Sequence, residues 1–190
     1  MSLRVIAGSA RGTRLRRVPG KQTRPIGDRA KEALFSILSP QIHGCRFLDL
    51  FAGTGSVGIE ALSRGSAQST FIEQNRAALQ TIRHNLQRCR LSHSAHIRVG
   101  DVFRLLQQPT AEPFDFLFLA PPQYRRLWAQ TLLALDSAAT WWHSSSTIIV
   151  QIDPSEREDI ALTHWQECDW RRYSNTALWF FQRRGASPDR

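Results

Sequence analysis

Leu48-Asp49-Leu50-Phe51-Ala52-Gly53-Thr54-Gly55-Ser56-Val57-Gly58-Ile59-Glu60 reads as the end of a short apolar strand, a glycine turn and the start of a helix. In an open α/β sheet such a turn lies at the carboxyl ends of the strands, where ligands bind. The glycines let the backbone turn sharply and come close to a ligand. Gly53, Gly55 and Gly58 have the GxGxxG spacing, and Glu73 stands at the distance of the acid that holds a ribose in dinucleotide enzymes. Read this far, the turn fits an NAD-dependent oxidoreductase as well as a methyl-donor enzyme.

Asp49 separates the two. A dinucleotide brings a pyrophosphate dianion to this turn, and a carboxylate beside it is unfavourable. S-adenosylmethionine brings an ammonium and a sulfonium, for which the same carboxylate is favourable. Two more acids follow the same logic at later strand ends. Glu73 is placed to accept from ribose hydroxyls, and Asp101 from the adenine amine with Val102 packed on or beside the ring. Asp49 can also serve as a structural acid for loop amides, and Asp101 as a helix N-cap. Phe51, Gly53, Thr54, Gly55 and Gln74 complete the candidate cofactor set.

Outward from the turn, strands and helices alternate. Candidate strands are Phe47–Leu50, Ser69–Glu73, His96–Val99, Phe114–Leu119, Thr147–Gln151, Trp165–Tyr173 and Thr176–Phe181. Candidate helices run from Asp28, read as an N-cap, through Leu38; from Gly55 to Arg64; from the Asn75 cap past Leu86; and from Leu127 to Leu135. Alternation implies a parallel sheet with helices on both faces. Only Ser174-Asn175 separates the last two strands, which is hairpin spacing. The expected fold is therefore α/β and Rossmann-like: a mostly parallel seven-stranded sheet ending in an antiparallel C-terminal hairpin. This is the layout of class I methyltransferases. Arg4–Ala7 and Thr13–Arg17, around Gly8–Gly12, form a further small basic hairpin, and Thr23-Arg24-Pro25 a turn.

The chain has 190 residues, 42% of them hydrophobic, enough for one α/β domain with a buried core. No apolar run approaches the roughly 18 residues needed to span a bilayer. A cytoplasmic protein with no membrane association is expected. Cys45, Cys89 and Cys168 form no pair and no metal spacing, and the histidines none either, so no metal is expected. Most of the tryptophans, which fall in the C-terminal half away from the basic arm, are expected to be core or helix-packing residues. The net charge of +9 is lopsided. Residues 1–31 hold nine basic side chains against the single acid Asp28, while the rest of the chain holds 16 basic and 15 acidic ones. A charge so concentrated points to phosphate. The expected organisation is a basic arm over 1–27, a cofactor-binding domain over 28–184 and a tail over 185–190.

The strand ending at Leu119 runs into Ala120-Pro121-Pro122-Gln123-Tyr124. Two prolines stop the ladder and stiffen a loop beside the expected cofactor, and Tyr124 can stack on a planar base. Several long blocks now resemble the RsmD family, bacterial methyltransferases of guanine N2 in 16S ribosomal RNA. They are Arg4-Val5-Ile6-Ala7-Gly8 with Arg11-Gly12; Thr23-Arg24-Pro25 with Asp28-Arg29-Ala30-Lys31-Glu32-Ala33-Leu34-Phe35; Asp49 to Gly55; and Glu60-Ala61-Leu62-Ser63-Arg64-Gly65. The resemblance implies that Asp49, Glu73 and Asp101 contact S-adenosylmethionine. It implies that Arg4, Arg11, Arg14, Arg16, Arg17, Lys21, Arg24 and Arg29 grip ribosomal RNA or an immature small subunit, with Arg125 and Arg126 as further phosphate contacts. A monomer is expected.

One position departs from the family. Where an acid or asparagine precedes Pro-Pro, this chain has Ala120, which cannot accept a hydrogen bond from the target amine. The carbonyls of Ala120 and Pro121, or the amide of Gln123, remain as acceptors. The departure also motivates a competing reading: a catalytically weakened RNA-binding or ribosome-assembly protein that keeps the cofactor pocket.

Overall fold

The computed structural model describes residues 3–20 and 26–185; Lys21, Arg24 and the expected turn at Thr23-Arg24-Pro25 lie outside them. Seven strands form one sheet: β1 (Arg46–Asp49), β2 (Gln68–Glu73), β3 (Ala95–Val99), β4 (Phe114–Leu119), β5 (Trp142–Ile152), β6 (Trp165–Tyr173) and β7 (Thr176–Arg183). Their spatial order is β3-β2-β1-β4-β5-β7-β6. The first five pair in parallel, and β7 runs antiparallel to both β5 and β6. This is the expected sheet. The central strands are covered on both faces, which is why β1, β4 and the end of β5 read as continuous apolar runs.

Five α-helices cover the faces: α1 (Asp28–Leu38), α2 (Ser56–Ser63), α3 (Arg76–Cys89), α4 (Val102–Leu106) and α5 (Leu127–Ser137). On one face Leu117, Leu119, Ile148 and Val150 pack with Leu132 and Leu135 of α5. On the other, Phe47, Phe116, Phe118 and Ile149 pack with Leu34, Phe35 and Leu38 of α1 and with Val57 and Ala61 of α2. Trp128, Trp141, Trp165 and Trp179 are buried, as expected.

Two details differ from the sequence reading. α1 begins at Asp28 with Gly27 in the capping position, so Asp28 is the first helical residue; its carboxylate lies 3.3 Å from Arg4 Nε. β5 starts five residues before Thr147, because a polar stretch joins the strand through a bulge between Phe114 and Phe116. There Ser146 Oγ donates to Phe114 O at 2.7 Å and accepts from His143 N at 2.8 Å, so a side chain carries hydrogen bonds that a regular ladder would supply.

The basic arm is packed down. Leu3, Val5, Ala10, Leu15 and Val18 are buried, and Val5 N donates to Thr13 O and Leu15 N to Leu3 O across the expected hairpin. Gly8, at φ 84°, sits against Ser63, whose carbonyl oxygen would lie 1.7 Å from a Cβ there. The clamp is Glu60 of α2, which is fully buried. Its carboxylate accepts from Ile6 N at 2.8 Å and Ala7 N at 2.9 Å. Arg64 Nε lies 2.9 Å from it and Lys31 Nζ 3.5 Å. Lys31 is also fully buried, and its ammonium donates to Arg4 O at 2.7 Å. Burial pushes the Lys31 pKa down, while Glu60 and Asp28 pull it back up.

Removing one partner of a buried ion pair strands the other. Glu60→Ala is expected to cost about 3–5 kcal/mol in urea unfolding. A loss below about 1 kcal/mol, the range of an exposed pair, would show that this carboxylate does not hold the arm.

Candidate functional site

The site lies at the carboxyl edge, where β1 passes through the glycine turn into α2. Gly53 and Gly55 have φ of 54° and 74°, a region open to glycine and strained for other residues. Gly58 lies so close to β2 that a Cβ would meet the Phe71 ring at 2.4 Å. All eight residues of α2 are buried, so this helix start is rigidly held.

Asp49 closes β1 and is 2% exposed. Its Oδ2 accepts from Gly58 N at 3.2 Å. Burial pushes its carboxyl up to about 7; the Gly58 amide pulls it down and the nearby Glu73 charge pushes it up further. A cation beside this buried acid favours its ionised form, whereas an anion there would disfavour it further. Glu73 closes β2. Its Oε2 accepts from Gly53 N at 2.9 Å, and its Oε1 from Gln74 N and Asn75 N, both at 2.8 Å. Glu73 thus fixes the glycine turn to the start of α3, with one lone pair of Oε2 left for a ligand. Asp101 follows β3 and caps α4, accepting from Arg104 N at 3.1 Å. The three acids stand at the ends of adjacent strands around one turn, a set of acceptors that could hold an ammonium, a ribose and an adenine amine in that order.

Beside Asp101 an open depression is lined by Gln74, Val99, Gly100, Asp101, Arg104, Leu105 and Gln108. Val99 is 58% exposed, whereas Val102 is buried in the α5-side core. Val99 and Leu105 are therefore the apolar side chains facing this depression. Phe51 is half-buried against the same core, and Thr54 is buried.

Asn85 on α3 was not legible as a site residue. It is fully buried, donates to Thr54 O at 2.9 Å and Arg16 O at 3.1 Å, and accepts from Arg16 N at 2.7 Å. The signal for it was a single amide within the apolar stripe of α3. Through it the arm is bolted to the cofactor turn. Arg4, Arg11, Arg14, Arg16, Arg17 and Arg29 are all exposed.

The loop after β4 lies along the same edge. Ala120 packs against the α1-side core, Pro121 is buried and Pro122 exposed. Gln123 is half-buried and Tyr124 is 68% exposed. Tyr124 and Arg126 have φ of 63° and 52°, strained for these residue types. The segment after β5 holds them: Tyr124 N donates to Glu156 Oε1 at 2.8 Å, Tyr124 Oη to Asp153 Oδ2 at 3.1 Å, and Arg126 Nε to Glu158 Oε1 at 2.8 Å. Arg125 is exposed. No group of side chains among the described residues is arranged to hold a metal ion, and no described helix is long and apolar enough to cross a membrane.

A family model described as conserved hypothetical protein 95 matches residues 3–182. Ribosomal RNA small subunit methyltransferase D of Haemophilus influenzae is 37% identical over 153 residues, covering 80% of this chain and 79% of that protein. The YlbH protein of Bacillus subtilis is 33% identical over 190 residues, covering 96% of this chain and 100% of its own length. The yhhF protein from Escherichia coli has a solved structure that superposes with a TM-score of 0.86 at 30% identity, covering 98% of this chain and 100% of that one. An RNA methyltransferase from Salinibacter ruber, solved with S-adenosyl-L-homocysteine, shares the fold at a TM-score of 0.63 and 13% identity, covering 87% of this chain and 98% of that one. The chain belongs to the family of conserved hypothetical protein 95, the RsmD methyltransferases: an enzyme of the class I fold with S-adenosylmethionine as its cofactor.

Proposed function

We propose that this enzyme methylates the exocyclic N2 amine of a guanine in small-subunit ribosomal RNA, in the cytoplasm and as a monomer. The observation that carries the reading is the joining of two surfaces: Asn85 bolts the arginine arm to Thr54 of the acid-lined cofactor turn. The relatives named ribosomal RNA small subunit methyltransferase D support the choice of RNA. The chain is divided into the basic arm 1–27, the methyltransferase domain 28–184 and the tail 185–190.

The residues take the following roles. S-adenosylmethionine supplies an electrophilic methyl group on a sulfonium. Asp49 would hold its ammonium, Glu73 its ribose and Asp101 its adenine amine; Phe51, Gly53, Gly55 and Gln74 shape the surrounding surface over the buried Thr54, and Val99 takes the place beside the adenine that the buried Val102 cannot. Arg4, Arg11, Arg14, Arg16, Arg17 and Arg29, with Lys21 and Arg24, contact RNA phosphates, as do Arg125 and Arg126. Arg126 exchanges Glu158 for phosphate when RNA arrives. Ala120, Pro121, Pro122, Gln123 and Tyr124 form the wall against which the guanine lies, with the exposed Tyr124 ring stacking on the base. Guanine N2 is a weak nucleophile, so holding it in line with the methyl group supplies much of the rate. The amine proton becomes acidic only as the new N–C bond forms, so no strong base is needed beforehand.

The Asp49 reading has a pH consequence. An aspartate with a pKa of about 7 when folded, against about 4 when unfolded, binds more protons in the folded state between those values. Stability without cofactor therefore falls as pH rises from about 4 to 7 and stays reduced above that. Cofactor affinity rises over the same window as the carboxylate ionises. Asp49→Asn should melt higher than the parent at pH 8, by on the order of 2 kcal/mol, because a raised carboxyl carries a penalty at that pH. The same variant should bind S-adenosylmethionine at least about tenfold more weakly, and without the pH dependence. A variant that keeps the parent's affinity and pH profile would remove Asp49 from the cofactor site.

RNA binding has its own test. Replacing Arg11, Arg14 and Arg16 together with alanine should lower the slope of log affinity against log salt by about 2, at roughly 0.7 per contact to single-stranded RNA. Labelled methyl transfer to ribosomal RNA or immature small subunits should fall in parallel, with cofactor binding intact. An unchanged salt slope would take the arm out of RNA recognition.

A further inference from the structure

Ala120 leaves the position before Pro121-Pro122 without a side-chain acceptor, and the sheet places a polar side chain beside it. Leu119 of β4 pairs with Val150 of β5. One step further Ala120 lies level with Gln151, and neighbouring strands are about 4.8 Å apart. Side chains alternate between faces along a strand. Ile149, two residues before Gln151, belongs to the α1-side core, as does Leu178, the partner of Gln151 on β7. Ala120 packs against that core too. Asp49 is two residues from Phe47 and pairs with Phe118, which again sets it on this face. Asp49, Ala120 and Gln151 therefore share one face of the sheet at the carboxyl ends of β1, β4 and β5.

Gln151 is only 8% exposed, and its side-chain amide makes no hydrogen bond with any described residue. Gln151 is not one of the described residues whose buried polar atoms lack a partner, so its amide opens to solvent at the carboxyl edge. There, beside Ala120, its oxygen is available to accept from a ligand.

We infer that Gln151 supplies the acceptor missing at Ala120: its Oε1 receives a hydrogen bond from the amine to be methylated and aims the nitrogen lone pair at the methyl group. This rests on the guanine-N2 reading above. In the step, the amine nitrogen forms the bond to the methyl carbon as the carbon–sulfur bond breaks, and its electron pair stays on the sulfur of S-adenosylhomocysteine. The amine proton leaves to water; Gln151 orients it and does not take it up. The acceptor thus comes from the strand next to the reactive loop instead of the loop itself.

The test uses the full chain with small-subunit ribosomal RNA or immature particles. Gln151→Met keeps the length and removes the acceptor. Its single-turnover methyl transfer should fall roughly 100-fold, the size expected for one oriented contact in the transition state. Its dissociation constant for S-adenosylmethionine should stay within about threefold of the parent, and its melting temperature should be equal or higher. Gln151→Glu restores an acceptor and should transfer within about tenfold of the parent. Adding Ala120→Asp to Gln151→Met should recover most of the loss. A parent that is active, with Gln151→Met within about threefold of it, overturns the assignment alone. Gln151→Met and Gln151→Glu that both melt lower and both lose cofactor binding would mark Gln151 as structural and also overturn it. A parent that binds cofactor yet transfers no methyl group overturns the guanine-N2 reading, and this assignment with it.

Discussion

The buried carboxylate of Glu60 joins three parts of the chain that are far apart in sequence. It sits on the helix that starts at the cofactor turn, accepts the Ile6 and Ala7 amides of the basic arm, and faces the buried Lys31 ammonium of α1. Two charges held out of water are stable only if each finds the other and the remaining lone pairs are filled. Here the arm's own backbone fills them. The described arm, residues 3–20, is therefore part of the folded domain, and the backbone that carries its exposed arginines is anchored to the helix that follows the glycine turn. The Asn85 bridge repeats the arrangement a few residues later, with amide and carbonyl of Arg16 both satisfied. The exposed arginines and the glycine turn are thereby tied to the same helix start.

The site follows a second physical rule, that acids at strand ends first serve the backbone. Asp49 accepts the Gly58 amide, Glu73 ties the glycine turn to α3, and Asp101 caps α4. A structural role leaves room for the proposed ligand-binding one on the same carboxylate, because each oxygen has two lone pairs. Asp49 is the costly member, since burial raises its pKa to about 7. A cation beside it, as proposed for the ammonium of S-adenosylmethionine, would relieve that cost. On the far side of the edge, the acidic segment Asp153 to Glu158 holds the reactive loop in a backbone conformation that Tyr124 and Arg126 would not adopt alone.

Most of the sheet was legible because burial on both faces writes itself as apolar runs, and because the two-residue spacer Ser174-Asn175 permits only a hairpin. The glycine turn and its three acids were legible for the same reason: chemistry there requires particular residue types at strand ends. What the sequence hid were contacts made by polar residues inside apolar patterns. Asn85 and Lys31 each occupy a helical position that reads as an ordinary solvated residue until the arm folds over it. Val102 and Val99 exchange places in exposure because α4 begins immediately after Asp101 and turns Val102 inward. Gln151 reads as the polar end of a strand, and only the register with β4 brings it level with Ala120.

Ala120 is the position at which this chain departs from its family, and the account holds that the chain still methylates guanine N2. The most direct measurement is mass spectrometry of nucleosides from small-subunit ribosomal RNA, compared between cells that contain this protein and cells that lack it. The account predicts that one N2-methylguanosine per small subunit is lost with the protein and restored with it, and that it is not restored by the Asp49→Asn variant. Identical N2-methylguanosine content in the two cell types would contradict it.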